Sequence, residues 1–195
     1  MESTRGIWVA MVLGLALTAC STGANQTRGN PIGQRTDVFQ EVVEPGEVPP
    51  EDADLIIKAS VKTHLAGRYL IEPKGTHHGD KTYPFLLNVD GQSIVWEVDG
   101  HVEEAPAYNE LGKRNPERGE GMRYSLIRRM RLKPGAHRIH FELPGEGRSK
   151  DVVVDMAAGR VHVLEFRPVY NRYRLKGEIF DRGVARIEAI SGQGS

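Results

Sequence analysis

The chain has one cysteine among 195 residues, Cys20, so no intrachain disulfide is possible and the fold must rest on its apolar core. It also lacks an excess of either charge: 26 basic against 26 acidic side chains give a formal net charge of +0. That balance supplies no general electrostatic attraction to nucleic acid or to an anionic surface. No apolar run reaches the ~20 residues that a membrane-spanning helix needs; the segment Ile7 to Ala19, broken only by Thr18, falls short. No stretch keeps helical periodicity for three turns. A Gly-x-Ser-x-Gly elbow, a phosphate-binding loop, a Cys-x-x-Cys pair and a His-Glu-x-x-His signature are all missing, and Gly119-Glu120-Gly121 lacks the third glycine of a dinucleotide fingerprint. Composition and motifs therefore point to no cofactor and no enzyme class.

What is present begins with a three-zone opening. Met1 to Gly6 is short and polar, with Glu2 offsetting Arg5; Ile7 to Ala19 is apolar or small; Cys20 is followed by STGANQTRGN. The length of the middle zone suits the apolar segment of a secretory signal. A buried N-terminal helix would show polar residues at helical spacing, and Ile7 to Leu17 has none.

Leu17-Thr18-Ala19-Cys20 resembles the lipobox of bacterial lipoproteins: a branched apolar residue, two small ones and a cysteine. The resemblance implies cleavage between Ala19 and Cys20, a diacylglyceryl group on the Cys20 sulfur and acylation of the new amino terminus. Several acyl chains make a lasting membrane anchor where one gives only reversible binding. Ser21 stands where an aspartate retains lipoproteins in the inner membrane, so the resemblance points to the periplasmic leaflet of the outer membrane, with the periplasmic face of the inner membrane as the alternative.

Residues 1–19 thus read as signal, 20–53 as lipidated cysteine and flexible tether, 54–190 as the folded domain and 191–195 as a flexible end. The tether carries Pro31, Gly33 and the closing EPGEVPPED; Val38-Phe39 and Val42-Val43 interrupt it as a short extended piece on the domain's edge. From Asp54 onward, short runs rich in β-branched and aromatic residues alternate with turn signals. LIIKASVK comes first. PFLLNVD and SIVWEVD flank Asp90-Gly91, a strong hairpin signal, and place Ile94, Trp96 and Val98 on one strand face with Trp96 as a core anchor. RYSLIRRMRL and AHRIHFEL form the next pair around Lys133-Pro134-Gly135, KDVVVDM and RVHVLEFRP a third around Ala157-Ala158-Gly159, and VARIEAI a last strand. The predicted fold is all-β, an antiparallel immunoglobulin-like β-sandwich. Leu132 to Ile139 resembles the turn of PEGA-like and transthyretin-like sandwiches, with His137 in place of the usual aromatic.

Chemistry is sparse. Thr76-His77-His78-Gly79-Asp80 gathers two imidazoles and a carboxylate, donors for zinc or copper, but adjacent histidines in a strand point apart, so only an irregular loop lets both grip one ion. His140 sits between Arg138 and Glu142 on a face that reads as solvated, opposite His137, and Arg128-Arg129-Met130-Arg131 splits its charges between strand faces. Asp99 to Gly121 is a long aperiodic stretch bearing Glu103, Glu104, Glu110, Glu117 and Glu120, which read as a charged excursion, a calcium loop or an acid/base pair. Tyr170, Arg172, Tyr173 and Arg174 interleave rings with guanidiniums, a pattern for stacking on sugars or for guarding a strand edge. The expectation is a non-catalytic, lipid-anchored envelope protein that binds or positions a protein or glycan. The alternative is a metal-dependent enzyme or metal carrier using His77, His78 and Asp80.

Overall fold

The computed structural model describes residues 35–44, 46–72, 74–171 and 177–193. The signal segment with Ala19 and Cys20, the first part of the tether, and Arg172, Tyr173 and Arg174 lie outside the described residues.

Among the described residues nine strands form: β1 (Phe39–Glu41), β2 (Ala53–Thr63), β3 (Thr82–Val89), β4 (Gln92–Ala105), β5 (Gly119–Leu132), β6 (Gly135–Leu143), β7 (Arg148–Met156), β8 (Val161–Tyr170) and β9 (Val184–Gln193). The fold is all-β. The strands follow one continuous order, β7-β6-β3-β4-β5-β2-β8-β9, with β1 added on β5. The two end strands lie beside each other without a backbone ladder, and Arg148 Nε donates to the Val184 carbonyl at 3.0 Å, so the sheet is nearly closed into a barrel. Pairing is antiparallel except for β2 against β8, which run parallel from Asp54↔Val161 to Ala59↔Phe166.

Strand β4 makes the sheet continuous. Its first half pairs with β3 through Thr82↔Asp99, and its second half pairs with β5 from Gly100 to Ala105. The handover falls on Gly100, where a Cβ would stand 2.6 Å from the Tyr124 ring. Where β4 has left β5, β1 takes its place in the register Phe39↔Leu132 to Glu41↔Met130. The Gln92 side chain fastens this patch by accepting from the amides of Val38 and Phe39 and donating to the Phe39 carbonyl. Glu41 accepts from Trp96 Nε1 at 2.8 Å. The short extended piece expected at Val38-Phe39 is thus a strand, and it fills the seam that β4 opens.

Two of the three expected strand pairs are not hairpins. Asp90 (φ 46°) and Gly91 (φ 95°) do join β3 to β4 in a two-residue turn. The turns at Lys133-Pro134 and at 157–160, however, carry the chain across the barrel: β5 pairs with β1, β2 and β4, β6 with β3 and β7, and β8 with β2 and β9. Turn chemistry reverses the chain's direction but does not choose the wall to which it returns.

The inward phase of each strand builds the core: Leu55, Ile57 and Val61 on β2, Phe85 and Leu87 on β3, Leu126 and Met130 on β5, Ile139 and Phe141 on β6, Leu164 and Phe166 on β8. Phe141 and Phe166 stack across the interior with centroids 4.1 Å apart and planes 6° from parallel. Burial of each such side chain contributes roughly 1.5–3 kcal/mol. His140 and Glu142 depart from the expected solvated face, being 6% and 7% exposed. Their strand is central between β3 and β7, so the cross-strand neighbours Asn88 and Asp151 shade the imidazole, and Asp151 lies 3.1 Å from its Nδ1. His137 occupies the core phase, with Asp90 and the Lys133 carbonyl each 2.7 Å from a ring nitrogen.

The connections divide by length between two poles. At one lie the Asp90-Gly91 turn, the Lys133-Pro134 turn, the 157–160 turn and the entry of the N-terminal segment beside Leu132. At the other lie the longer connections that follow β2, β4 and β8, the last carrying the 3-10 turn Phe180–Arg182, and the 3-10 turn Pro144–Glu146. Every strand ends accordingly, because β2 and β8 run the same way and their neighbours run opposite.

Candidate functional site

The loop pole buries a network of charged side chains. Lys62, on the outward phase of β2, is nevertheless fully buried. Its Nζ donates to the carbonyls of Glu117 at 3.0 Å and Gly119 at 2.6 Å, stands 3.7 Å from Glu103 and lies 5.0 Å from the centre of the Phe180 ring. Burial lowers its pKa from the ordinary value, against the opposing pull of Glu103 and Glu117. Arg123 bridges the same two carboxylates at 2.6 Å each. Burial acts against its charge, but Glu117 and Glu103 outweigh that and raise its pKa.

This network corrects two expectations. The stretch 99–121 is not one open loop: strands β4 and β5 claim its ends, and a bridge between Tyr108 and Arg114, capped by the Asn109 side chain, organises the middle. Glu103 and Glu117 are spent on Arg123 and Lys62, so they are not a free calcium pair or acid/base pair. Tyr170 is buried, with its hydroxyl donating to Glu117 at 2.8 Å and accepting from the Lys62 amide at 2.9 Å. Its ring offers no face to a sugar.

The histidine pair divides as adjacent side chains do. His77 (φ 55°) and Gly79 (φ 72°) both take left-handed backbone, which turns His77 outward and His78 inward. His77 Nδ1 faces Asp80 Oδ2 at 3.2 Å on the exposed side of the loop. His78 joins His64, which follows β2 directly and is 3% exposed; His64 Nε2 and His78 Nδ1 are 3.0 Å apart. His78 Nε2 meets Glu146 Oε1 at 2.8 Å, and Glu146 Oε2 accepts from the Val184 amide at 2.8 Å. Glu72 Oε1 lies 3.6 Å from His64 Nδ1. The trio that the alternative reading placed on one ion, His77, His78 and Asp80, is therefore split. Among the described residues the three donors that gather are His64, Glu72 and His78, each offering an atom within 4.8 Å of the others. No spacing rule connects position 64 with 78, so sequence reasoning missed His64, Glu72 and Glu146.

The loop is held in this shape by its backbone. The Tyr124 hydroxyl donates to the Asp80 carbonyl at 2.7 Å, and the Gly79 amide donates to Thr63 Oγ1 at 3.1 Å. Beside His64 a cleft of about 280 Å³ opens between the 64–68 turn and Glu120 and Glu178. A second cleft of about 540 Å³ adjoins it at Glu178, under Pro106 and Arg118. Tyr69, Leu70, Ile71, Tyr108 and Leu111 stand exposed on the same loops.

Comparison with protein-family models, curated proteins and solved structures finds no match to this chain. Among the described residues, no helix is long and apolar enough to cross a membrane. The site is accordingly read from its own geometry.

Proposed function

We propose that this is a lipid-anchored envelope lipoprotein, held in the periplasmic leaflet of the outer membrane through Cys20, whose β-domain binds and positions another envelope component without catalysis. The observation that carries the reading is the domain's polarity. The N-terminal segment joins the barrel at the short-turn pole, and the clefts and the exposed Tyr69, Leu70, Ile71, Tyr108 and Leu111 crown the opposite one. A chain fixed at Cys20 has 18 residues to reach Val38, which is at most about 65 Å. The tether then enters at the pole opposite the loops and leaves the loop pole free to meet whatever the protein serves. Loops at one end of a β scaffold meeting a partner is the immunoglobulin-like way of working, and the apolar crown favours a protein over a glycan.

The test places a photo-crosslinking residue at Leu70, at Leu111 or at Ala158 of the short-turn pole, in cells. Discrete adducts from the first two and none from Ala158 support the reading; adducts from Ala158 alone, or from no position, refute it. Separately, Cys20→Ser should abolish labelling by a fatty-acid analogue and release the protein from the membrane fraction. Retained labelling in that variant removes the anchor.

A further inference from the structure

We propose that the loop pole binds one divalent transition-metal ion, of the zinc class, between His64 Nε2 and His78 Nδ1, with Glu72 as third ligand and Glu146 as the group that orients His78. The site stands independently of the Cys20 anchor. Its basis is where the imidazole protons must go. His64 Nδ1 lies 3.0 Å from the Leu65 carbonyl, with the Glu72 carboxylate behind it, and both accept only, so the proton sits on Nδ1. His78 Nε2 lies 2.8 Å from the Glu146 carboxylate, so its proton sits there. Each ring is left with a bare lone pair on its other nitrogen, and those two lone pairs face one another at 3.0 Å.

Two buried lone pairs at that distance repel unless a cation sits between them. A proton is one candidate. The surroundings favour a metal for two reasons. A carboxylate on the far nitrogen of a ligating histidine is the usual outer partner of a metal-bound imidazole, fixing both tautomer and ring orientation. Glu146 is itself pinned, its second oxygen taking the Val184 amide. In addition, Glu72 brings a third donor oxygen into the same cluster, 3.6 Å from His64 Nδ1, on a partly exposed loop side chain that can swing toward the two lone pairs. Two nitrogens on a tetrahedral zinc at ~2.0–2.1 Å stand roughly 3.3–3.4 Å apart, so the rings need to open by only a few tenths of an ångström. Two imidazoles and a carboxylate leave a fourth position unfilled by these residues, a donor set suited to zinc or copper and not to calcium or magnesium.

The full-length chain, purified in detergent without chelator, is titrated with Zn²⁺ in competition with a chromophoric chelator. One equivalent should bind. His78→Ala should abolish it, Glu146→Gln should weaken it about 10–100-fold, and His77→Ala should leave it unchanged. Absence of stoichiometric zinc binding by the folded protein, retention in His78→Ala, or loss in His77→Ala overturns the site. Should a histidine variant unfold, long-range ¹H–¹⁵N spectra of the unaltered chain decide. Zinc-dependent shifts confined to His64 Nε2 and His78 Nδ1 uphold it, and a pair that holds a shared proton and ignores zinc refutes it.

Discussion

Replacing Asp54 with asparagine should cost the domain about 3 kcal/mol and loosen the segment that leads in from the N-terminus. The carboxylate is completely buried at the start of β2. It accepts from Arg129 Nε at 2.6 Å and from Arg131 Nε at 2.8 Å and Nη2 at 3.2 Å. The two guanidiniums, so oriented, also donate through Nη2 to the Gly46 and Glu47 carbonyls at 3.0 and 3.2 Å. Removing one partner of a buried ion pair costs roughly 3–5 kcal/mol. The lower end applies here because the Arg129 and Arg131 side chains are 17% and 28% exposed and can turn toward water. Urea denaturation reads the loss as a lower midpoint at unchanged slope. Hydrogen exchange reads its location, because the Val42 amide donates to the Arg129 carbonyl and should exchange faster. A change below about 1 kcal/mol with Val42 still protected would show that the arginines hold the segment without Asp54, and the reasoning fails.

Acid should weaken the fold in a defined window. Burial would raise the Asp54 carboxyl, but hydrogen bonds and charge from Arg131 and Arg129 outweigh it and hold the pKa below 3.8; Arg123 and Lys62 likewise outweigh burial to hold Glu103 below 4.5. Both groups bind protons more readily unfolded, so their contribution is complete above about pH 4.5 and is lost as the pH falls through the folded values. Urea midpoints taken from about pH 3 to pH 7 should therefore drop at the acid end, and drop less in Asp54→Asn; equal slopes in both proteins contradict the assignment. Gly79→Ala and Gly75→Ala provide a matched pair, both at left-handed backbone with φ 72° and 81°. The methyl at 79 runs into the Leu65–Ala66 backbone, whereas that at 75 meets open space. The second should cost ~1–2 kcal/mol from strain alone and the first clearly more; equal melting temperatures would show that the 64–66 turn yields freely.

What could be read in advance was local. Alternation along LIIKASVK and SIVWEVD fixes which side chains enter the core, and Leu55, Ile57, Val61 and Trp96 are there. Asp90-Gly91 declares its hairpin because only a short list of residues accepts left-handed backbone at both turn positions. Partner choice was not legible. The parallel contact of β2 with β8 joins Asp54 to Val161, and no local rule spans that distance. Burial of Lys62 was hidden for a related reason. The strand pattern sends it outward, and only the arrival of Glu117 and Phe180 from two remote connections, with Gly119 at the start of β5, turns that position into an interior one. His64 was missed in the same way, since its partners come from the loops that bear His78, Glu72 and Glu146.

The difference between the two poles has a physical consequence. At the short-turn pole the chain uses tight turns and the β1 patch, fastened by Gln92 and by Asp54 through Arg129 and Arg131. At the loop pole the closure is made by side chains: Lys62, Arg123, Glu103 and Glu117 over one part, His64, His78, Glu72 and Glu146 over the other. Paired buried charges tolerate one arrangement well and intermediate ones poorly, since each broken pair leaves a desolvated group behind. Glu146 ties His78 to the start of β9 through the Val184 amide, and His64 ties the same cluster to the end of β2. A displacement of His78 is therefore felt on two walls of the barrel at once. The exposed Tyr69 packs edge-on to His64 at 4.9 Å, so the apolar crown rests directly on that cluster. A cation held between His64 and His78 would fix the crown's footing, and the surface offered to a partner would follow the occupancy of the two imidazoles.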